Sequence, residues 1–506
     1  MILDNTKNIQ LMKVLLISPN IKGFKNGVNR IQPPLGLSYL TSYLREIDGV
    51  EIYVKDTAID GYENEIPIDE KMVMIGQSNE EIEKYISKIS PDVIGISVLF
   101  ANLMDSVHEI TNIAKKINKK TIIVVGGNHI TNIIHDYEYG IDNTKYIIND
   151  NIDYYFIGES ELNFVEFIKK LKDGTSVDNI PGLCRFRQKT LINKNKSFLD
   201  VSELKDPSWD YFNMEKYFSI GRFHSAQSYS NRVLPVMSSR GCPEKCQFCT
   251  TPITWGSKVR WKNPKLLYEE IKKSIINYNI GEIQFQDDTI TANLKNLYEL
   301  CDHISDFHLP WCTPNGIKIN YHQDNQFEMF SKMKKSGCYQ TTFACESGSQ
   351  RVLDSIIKKN IKVSTFKDNI KKAKDAGLFV HSFWIVGFPG ESNDEMKKTI
   401  EIASESGADS FSLSIFNPLP GTPLYHKVIK ENLWWNSNKT IDNMTFRNSL
   451  IKVDGFSNDE EFENFVDRNN FYLNNILKAK DLSRHELVTK NRGVSLRDDE
   501  KFLKQT

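Results

Sequence analysis

Cys242, Cys246 and Cys249 fall within eight residues, in the run Ser239-Arg240-Gly241-Cys242-Pro243-Glu244-Lys245-Cys246-Gln247-Phe248-Cys249. Three thiolates can hold a four-iron cube by three corners, whereas a fully ligated cluster uses four cysteines. The iron left open can take an outside ligand and pass it an electron, which is chemistry rather than scaffolding. Structural zinc takes four closed ligands, usually from two separated pairs. Cys301 and Cys312 are too far apart in the chain to form such a pair. A disulfide framework belongs to small secreted chains. Zinc and buried free thiols stay open as blander readings.

The elements that must position these cysteines are legible in the apolar pattern. With 506 residues, two or three domains are expected. Hydrophobic content is 40% and the net charge is −1, so nothing marks an electrostatic nucleic-acid footprint. No apolar run reaches the roughly 18 residues of a membrane span. The polar start (Asp4, Asn5, Lys7, Asn8) is unlike a signal peptide, and eight cysteines fit a reducing compartment, so a cytoplasmic protein is expected.

Short apolar runs at 13–18, 50–54, 93–97, 121–125 and 154–157 suit strands buried on both faces of a parallel sheet. Between them, Val107, Ile110, Ala114 and Ile117 recur at helical spacing, as do Leu162, Val165, Ile168 and Leu171. This alternation predicts a doubly wound α/β domain over 1–172, with its ligand site at the strand carboxyl ends. Those ends carry Asp56-Thr57-Ala58-Ile59-Asp60-Gly61, Ser97-Val98-Leu99 and Gly126-Gly127-Asn128-His129. Paired glycines let a backbone approach a bulky ligand. His129 and His135 invite a metal reading, but a lone loop histidine is more often a hydrogen-bonding group.

Residues 173–231 read as an irregular linker. From 232 the alternation restarts, with strands expected at 233–238, 282–286, 316–319, 341–344, 380–386 and 410–415. Asn263-Pro264 marks a helix start, Asn as cap and Pro at the first helical position. Six strands predict a partial (β/α)6 barrel over 232–424, its function gathered in loops after the strands. There lie Gln286-Asp287-Asp288, Cys345-Glu346-Ser347-Gly348 and Gly387-Phe388-Pro389-Gly390-Glu391. Cys338 and Cys345 read as packing residues. Residues 425–506 read as a charged helical extension whose Phe462, Phe465, Phe471, Leu473 and Ile476 could close the barrel's open side, fraying after Ser495.

The cysteine loop, with Phe248 before its last Cys, resembles the radical S-adenosylmethionine (SAM) signature. The strand-end series of the first domain resembles the cobalamin-binding domain, which carries Asp-x-His-x-x-Gly, Ser-x-Leu and Gly-Gly. Together they resemble the cobalamin-dependent radical SAM family, chiefly its methyltransferases, over residues from about 13 to about 430. The resemblance implies Cys242, Cys246 and Cys249 as ligands of a [4Fe-4S] cluster. It implies Phe248, Gln286, Asp287, Glu346 and Gly387 as SAM contacts. For cobalamin it implies Thr57, Ala58, Ser97, Leu99, Gly126, Gly127 and Asn128, with His129 at most a contact to the cofactor's tail. Ala58 stands where the family's cobalt-ligating histidine would be, so no protein nitrogen would ligate cobalt.

The resemblance further implies that the cluster reduces SAM to a 5′-deoxyadenosyl radical. That radical would remove hydrogen from an unactivated carbon, and methylcobalamin, remade by a second SAM, would supply the methyl group. An external low-potential donor such as flavodoxin or ferredoxin would feed the cluster. The substrate would be a small molecule; 213–218, 249–251 with Trp255-Gly256, 286–288 and 339–346 resemble a phosphonate-methylating branch. Three alternatives stay open: a cyclase or rearranging enzyme with the same cofactors, a non-catalytic cobalamin sensor or carrier, and a methylthiotransferase. The last would need N-terminal cysteines for a second cluster, and the first 183 residues hold none.

Overall fold

The computed structural model describes residues 11–476 apart from 26, 28, 188, 189, 193–196, 222, 226 and 446. The reading of frayed residues after Ser495 falls outside these. The described residues fall into two compact units: those within Met1–Lys25, Pro33–Leu199 and Lys205–Met214 form the first, and those within Asn26–Gln32, Asp200–Leu204 and Glu215–Thr506 the second.

In the first unit, β1 (Met12–Ser18), β2 (Val50–Asp56), β3 (Val93–Ser97), β4 (Ile122–Gly126) and β5 (Tyr154–Phe156) run parallel in the order β2-β1-β3-β4-β5. The order reverses between β1 and β3, which is where doubly wound sheets open a crevice for ligands. Val14, Leu15, Leu16 and Ile17 are each at most 1% exposed, as a strand covered on both faces requires. The helices α1 (Leu35–Leu44), α3 (Asn79–Ile89), α4 (Met104–Ile117), α5 (Asn128–Glu138) and α6 (Glu161–Lys172) alternate with the strands; α2 (Thr57–Asp60) is a single turn after β2. Val107, Ile110 and Ala114 face inward on α4 as expected. On α6 the inward stripe is Phe164, Phe167 and Ile168, whereas Leu162 is 54% exposed, so the stripe read around Leu162 was rotated. The larger rings won the core: Phe164 and Phe167 both meet Phe156 edge to face, at 5.5 and 5.6 Å between centroids.

The stretch expected to be an irregular linker contributes strands. β6 (Leu183–Arg187) pairs antiparallel with β5, and β7 (Thr190–Ile192) with β6, extending the first sheet. β6 joins a distant edge, which no local pattern announces, and β7 is its near neighbour in the chain, paired back onto it.

In the second unit, β8 (Val233–Val236), β9 (Glu282–Phe285), β10 (Trp311–Ile317), β11 (Cys338–Glu346), β12 (Phe379–Val386) and β13 (Ser410–Ile415) form one parallel sheet in chain order. Between them lie α7 (Pro264–Tyr278), α8 (Leu294–Ile304), α9 (Gln326–Lys335), α10 (Phe366–Asp375) and α11 (Asn393–Glu405). Asn263 caps α7, its side chain accepting from Lys265 N at 3.0 Å. β10 begins at Trp311, five residues before the expected start, because Pro314 and Gly316 interrupt its apolar pattern while Trp311 and Cys312 are fully buried. The strand inputs are closed from below by the segment before β8. Ser225 N donates to Gln284 Oε1 (3.1 Å), Tyr229 N to Glu282 Oε2 (2.5 Å), and Tyr339 Oη to Gln227 O (2.8 Å).

Past β13 come α12 (Pro423–Lys430) and, after an irregular stretch rather than continuous helix, α13 (Asp459–Phe471). Asn470 and Asn474, one helical turn apart, zip onto the free edge of β13. The Asn470 amide accepts from Leu413 N (2.8 Å) and donates to Leu413 O (2.6 Å); Asn474 does the same with Phe411 N (3.1 Å) and O (3.0 Å). Side-chain amides thus stand in for the missing next strand. Phe462 is fully buried and Leu473 likewise, in keeping with an apolar cover.

Candidate functional site

At the carboxyl end of β2, Asp56 Oδ1 accepts from Ala58 N (3.0 Å) and Ile59 N (3.1 Å), capping the α2 turn. Thr57 Oγ1 donates to Ser18 O at 3.2 Å, tying the ends of β2 and β1 together. Thr57 and Ala58 are each 1% exposed, so the Ala58 methyl is a packing group. After β3, Ser97 is half-buried while Leu99 and Phe100 are 51% and 44% exposed, a paired apolar surface at a strand end.

After β4, Gly127 has φ 112° and ψ −176°, a conformation open to essentially glycine alone. A Cβ there would lie 2.5 Å from Val98 O. That close approach lets Val98 N bond Gly126 O (2.7 Å) and His129 N bond Val98 O (3.2 Å), holding the two strand ends in register. Asn128 is half-buried at the first position of α5. His129 is 3% exposed and its Nε2 has no partner; burial pushes its pKa down to about 3, so it is neutral. Asn132, three residues along the same helix face, has an unpartnered buried Oδ1. Buried polar atoms without partners are rare enough to call for an explanation. A ligand with a polar tail beside the glycine pair supplies one.

In the second unit the cysteine loop is tied down from every side. Gly241 takes φ 99°, and a Cβ on it would lie 2.4 Å from Lys258 O. Cys242 N donates to Gly256 O (3.3 Å), Gln247 N to Ile357 O (2.9 Å), and Leu424 N to Gln247 O (3.1 Å). Within the loop, Glu244 accepts from Tyr321 Oη (2.6 Å) and pairs with Lys318 Nζ (2.8 Å), both just beyond β10. Burial raises the Glu244 carboxyl, but Lys318 and Tyr321 outweigh it and hold the group below its ordinary range.

Burial pushes the Cys242 and Cys246 thiols up to about 12, and that of Cys249 upward as well. Alone they would stay protonated at neutral pH; a bound metal displaces the protons outright. Among the described residues no three His, Cys, Asp or Glu side chains converge on a point, as one zinc ion would need. A four-iron cube takes each thiolate at a separate corner and needs no such convergence on one point.

The predicted SAM contacts divide. Phe248 is half-buried and packs on Phe388 with centroids 5.9 Å apart. Gln286 Oε1 meets His224 Nδ1 at 3.1 Å. Asp287 is already engaged: it accepts from Ser238 Oγ (2.7 Å), Ser239 Oγ (2.5 Å) and Ser238 N (3.0 Å), bracing the base of the cysteine loop. Its neighbour Asp288 accepts from Thr251 Oγ1 (3.0 Å), which in turn lies 3.4 Å from Cys249 Sγ. Burial raises the Asp288 carboxyl to about 6. Gly387 is covered: a Cβ there would lie 2.8 Å from Phe462, and Gly387 N donates to Glu391 Oε2 at 2.7 Å. Glu346 ends β11 at φ 64° and pairs with the buried Lys359, Nζ to Oε1 2.7 Å. Asp288, Glu244 and Lys359 were not singled out from sequence; the first two lie inside motifs that were. Cys338 and Cys345 are at most 1% exposed, in keeping with packing.

Two family models match the chain, the B12 binding domain over residues 25–167 and the radical SAM superfamily over 236–403. The cytidylyl-2-hydroxyethylphosphonate methyltransferase of Streptomyces wedmorensis is 32% identical over 89% of this chain and 87% of that protein. This chain belongs to the cobalamin-dependent radical SAM methyltransferases. A methyltransferase of Pyrococcus horikoshii is 30% identical over 94% of this chain and 96% of its own length. Among solved structures, the cobalamin-dependent SAM radical enzyme OxsB matches with a TM-score of 0.66 at 14% identity, covering 98% of this chain and 80% of that one. The methyltransferase TsrM from Kitasatospora setae, with cobalamin and cluster bound, matches at 0.61 and 15% identity, over 83% and 75%. The cofactors of this methyltransferase are a [4Fe-4S] cluster, SAM and cobalamin, and it requires a reductant. Among the described residues no helix is long and apolar enough to cross a membrane.

Proposed function

We propose that this methyltransferase places its methyl group on an unactivated carbon of a small phosphonate intermediate. The observation that carries the reading is the 32% identity, across nearly the whole of both chains, to the phosphonate methyltransferase of Streptomyces wedmorensis. When bound, the cluster and SAM supply radical hydrogen removal and cobalamin supplies the methyl group. Ala58 offers no donor to cobalt, in keeping with a corrinoid used without a protein nitrogen ligand.

In this reading the cobalamin-binding part spans 1–172 and the catalytic barrel 232–424, with the helical part after it. Cys242, Cys246 and Cys249 hold three irons. Ser97, Leu99, Gly126, Gly127 and Asn128, over a base of Thr57 and Ala58, receive cobalamin, the exposed Leu99 giving an apolar surface to a corrin face. Phe248, Gln286 and Glu346 serve SAM. Asp287 and Gly387 act at one remove: the carboxylate fixes the two serines beneath the cysteine loop, and the glycine admits Phe462 behind the β12 turn. A flavodoxin or ferredoxin suits the electron supply.

The test is an anaerobic assay of reconstituted protein with SAM, methylcobalamin, a low-potential reductant and cytidylyl-2-hydroxyethylphosphonate. Wild type is expected to form 5′-deoxyadenosine, S-adenosylhomocysteine and a product heavier by one CH₂, read by mass spectrometry. Cys246→Ala is expected to form no 5′-deoxyadenosine. Substrate consumption without added mass would replace methylation by rearrangement.

A further inference from the structure

The segment before β8 does more than close the base of the second sheet. Tyr229 N donates to Glu282 Oε2 (2.5 Å), Ser225 N to Gln284 Oε1 (3.1 Å), and His224 Nδ1 meets Gln286 Oε1 (3.1 Å). Glu282, Gln284 and Gln286 alternate along β9 and just past its end, so they share one face. Ser225 Oγ also reaches Gln340 Oε1 on β11 (3.5 Å), across the width of β10. The helices cover the other face, where Phe330 packs on Phe343 and Phe366 on Trp384, each with centroids 5.8 Å apart. The segment therefore climbs the inner face and brings His224 to the carboxyl ends of the strands, where βα barrels keep their function.

At the level of His224 the inner face opens. Gln286, Asn315, Ala344, Phe383 and Ser412, one from each of five adjacent strands or its end, are all half-buried. One step lower on the same face Gln284, Thr342, His381 and Ser410 are buried, with Ala344, Phe383 and Ser412 in register above the last three. The row is thus a floor with space above it, and none of its members is charged. His224 is half-buried beside it, its carbonyl held by Arg30 Nη1. Burial pushes the His224 pKa down, against the bond to Gln286 and with the Arg30 charge assisting, so the ring is neutral. Gln286 Nε2 donates to Gln284 O (3.2 Å), which turns the Gln286 oxygen toward the ring and leaves the proton on Nδ1. Nε2 is then a lone-pair acceptor. It makes no hydrogen bond with the described residues, yet it is not sealed from solvent.

We propose that His224 selects the substrate, its Nε2 accepting a hydrogen bond from a hydroxyl on the uncharged end of the molecule to be methylated. A neutral floor with one free acceptor suits a neutral donor and repays no charge brought into it. The phosphonate and nucleotide charges of the substrate accordingly stay outside this row. The proposal rests on the phosphonate reading above, in which a 2-hydroxyethyl end is such a donor. An analogue without the hydroxyl leaves the imidazole acceptor unpaired beneath it and binds less well for that reason.

The experiment compares cytidylyl-2-hydroxyethylphosphonate with cytidylyl-ethylphosphonate, which lacks the hydroxyl, by equilibrium dialysis against anaerobically reconstituted, unreduced protein. Wild type is expected to prefer the hydroxyl compound by about tenfold or more. His224→Asn has an amide that reaches no farther than Nδ1, so it can keep the bond to Gln286 while withdrawing the Nε2 acceptor. It is expected to shrink the preference below about threefold, with the ethyl compound bound as by wild type. His224→Gln places an amide oxygen near the Nε2 position and is expected to keep most of the preference. A purely structural histidine predicts the reverse, Asn being tolerated and Gln harmful. Iron per chain and cobalamin absorption check that each variant is intact. An Asn variant that discriminates as wild type does, or that loses its cofactors while Gln keeps neither preference nor cofactors, overturns the proposal. So does a wild type that binds the two compounds equally. A wild type that binds neither overturns the phosphonate reading itself, and this proposal with it.

Discussion

The strand ends of the two units are built by opposite means. In the first unit the site is neutral and made of backbone: a glycine pair against Val98, a capped turn at Ala58, an exposed Leu99, and polar atoms of His129 and Asn132 left without partners. In the second it is made of charge: Lys318 on Glu244, Lys359 on Glu346, and carboxylates fixed by serines and threonine. Backbone geometry supplies shape, which suits the large preformed ring proposed to bind there. The charges around the cysteine loop are paired with one another, as charges withdrawn from water must be.

The sharpest way to break the contrast is at Gly127. Gly127→Val must leave a conformation that only glycine adopts easily and must also move Val98, at a cost of about 3 kcal/mol. The expected outcome is loss of cobalamin binding, read by its visible absorption on a desalted column, with cluster iron content unchanged. A variant that keeps cobalamin would mean the glycine pair is only a turn.

Next comes a pair of opposite pH responses. His129 titrates normally near 6.5 when unfolded and near 3 when folded, so the unfolded state binds more protons between those values and stability is lost as pH falls. Glu391 behaves in reverse. It is 2% exposed and burial raises its carboxyl from 4.5 to about 8, so the folded state keeps the proton and stability is lost as pH rises through that window. Each is worth about 2 kcal/mol over two pH units. Melting temperatures of His129→Leu are expected to fall less steeply than wild type from pH 6.5 to 4.5, and those of Glu391→Gln less steeply from pH 6 to 8. Parallel slopes in variant and wild type would remove this part of the comparison.

A smaller effect is expected at the edge of the second sheet. Asn470→Ala and Asn474→Ala each remove two hydrogen bonds to β13, worth about 1–2 kcal/mol per residue. Exchange of the Leu413 and Phe411 amides with deuterium is expected to quicken in the corresponding variant. Unchanged protection would show that the strand edge is guarded by something other than the amides.

Much of this was legible before any coordinates, because it depended on local pattern. Apolar runs gave the parallel strands, Asn263-Pro264 gave a helix start, and the cysteine spacing gave the cluster loop. Misreadings arose where a distant partner decides. β6 forms on the edge of β5, and α6 turns its phenylalanines rather than Leu162 inward because Phe156 is there to receive them. That Asp287 also braces Ser238 and Ser239 could not be read from its motif, because those partners lie about fifty residues away in the chain. Lys359 carried no motif at all.

The sequence by itself determined which chemistry is available, since residue type and close spacing decide what can ligate iron and whether cobalt has a nitrogen ligand. Only the tertiary structure decided which charges neutralise one another. Lys359 lies thirteen residues from Glu346 along the chain, yet the two meet because the chain after the strand end folds back onto it. Coulomb's law acts through space, and spacing in sequence does not encode that distance.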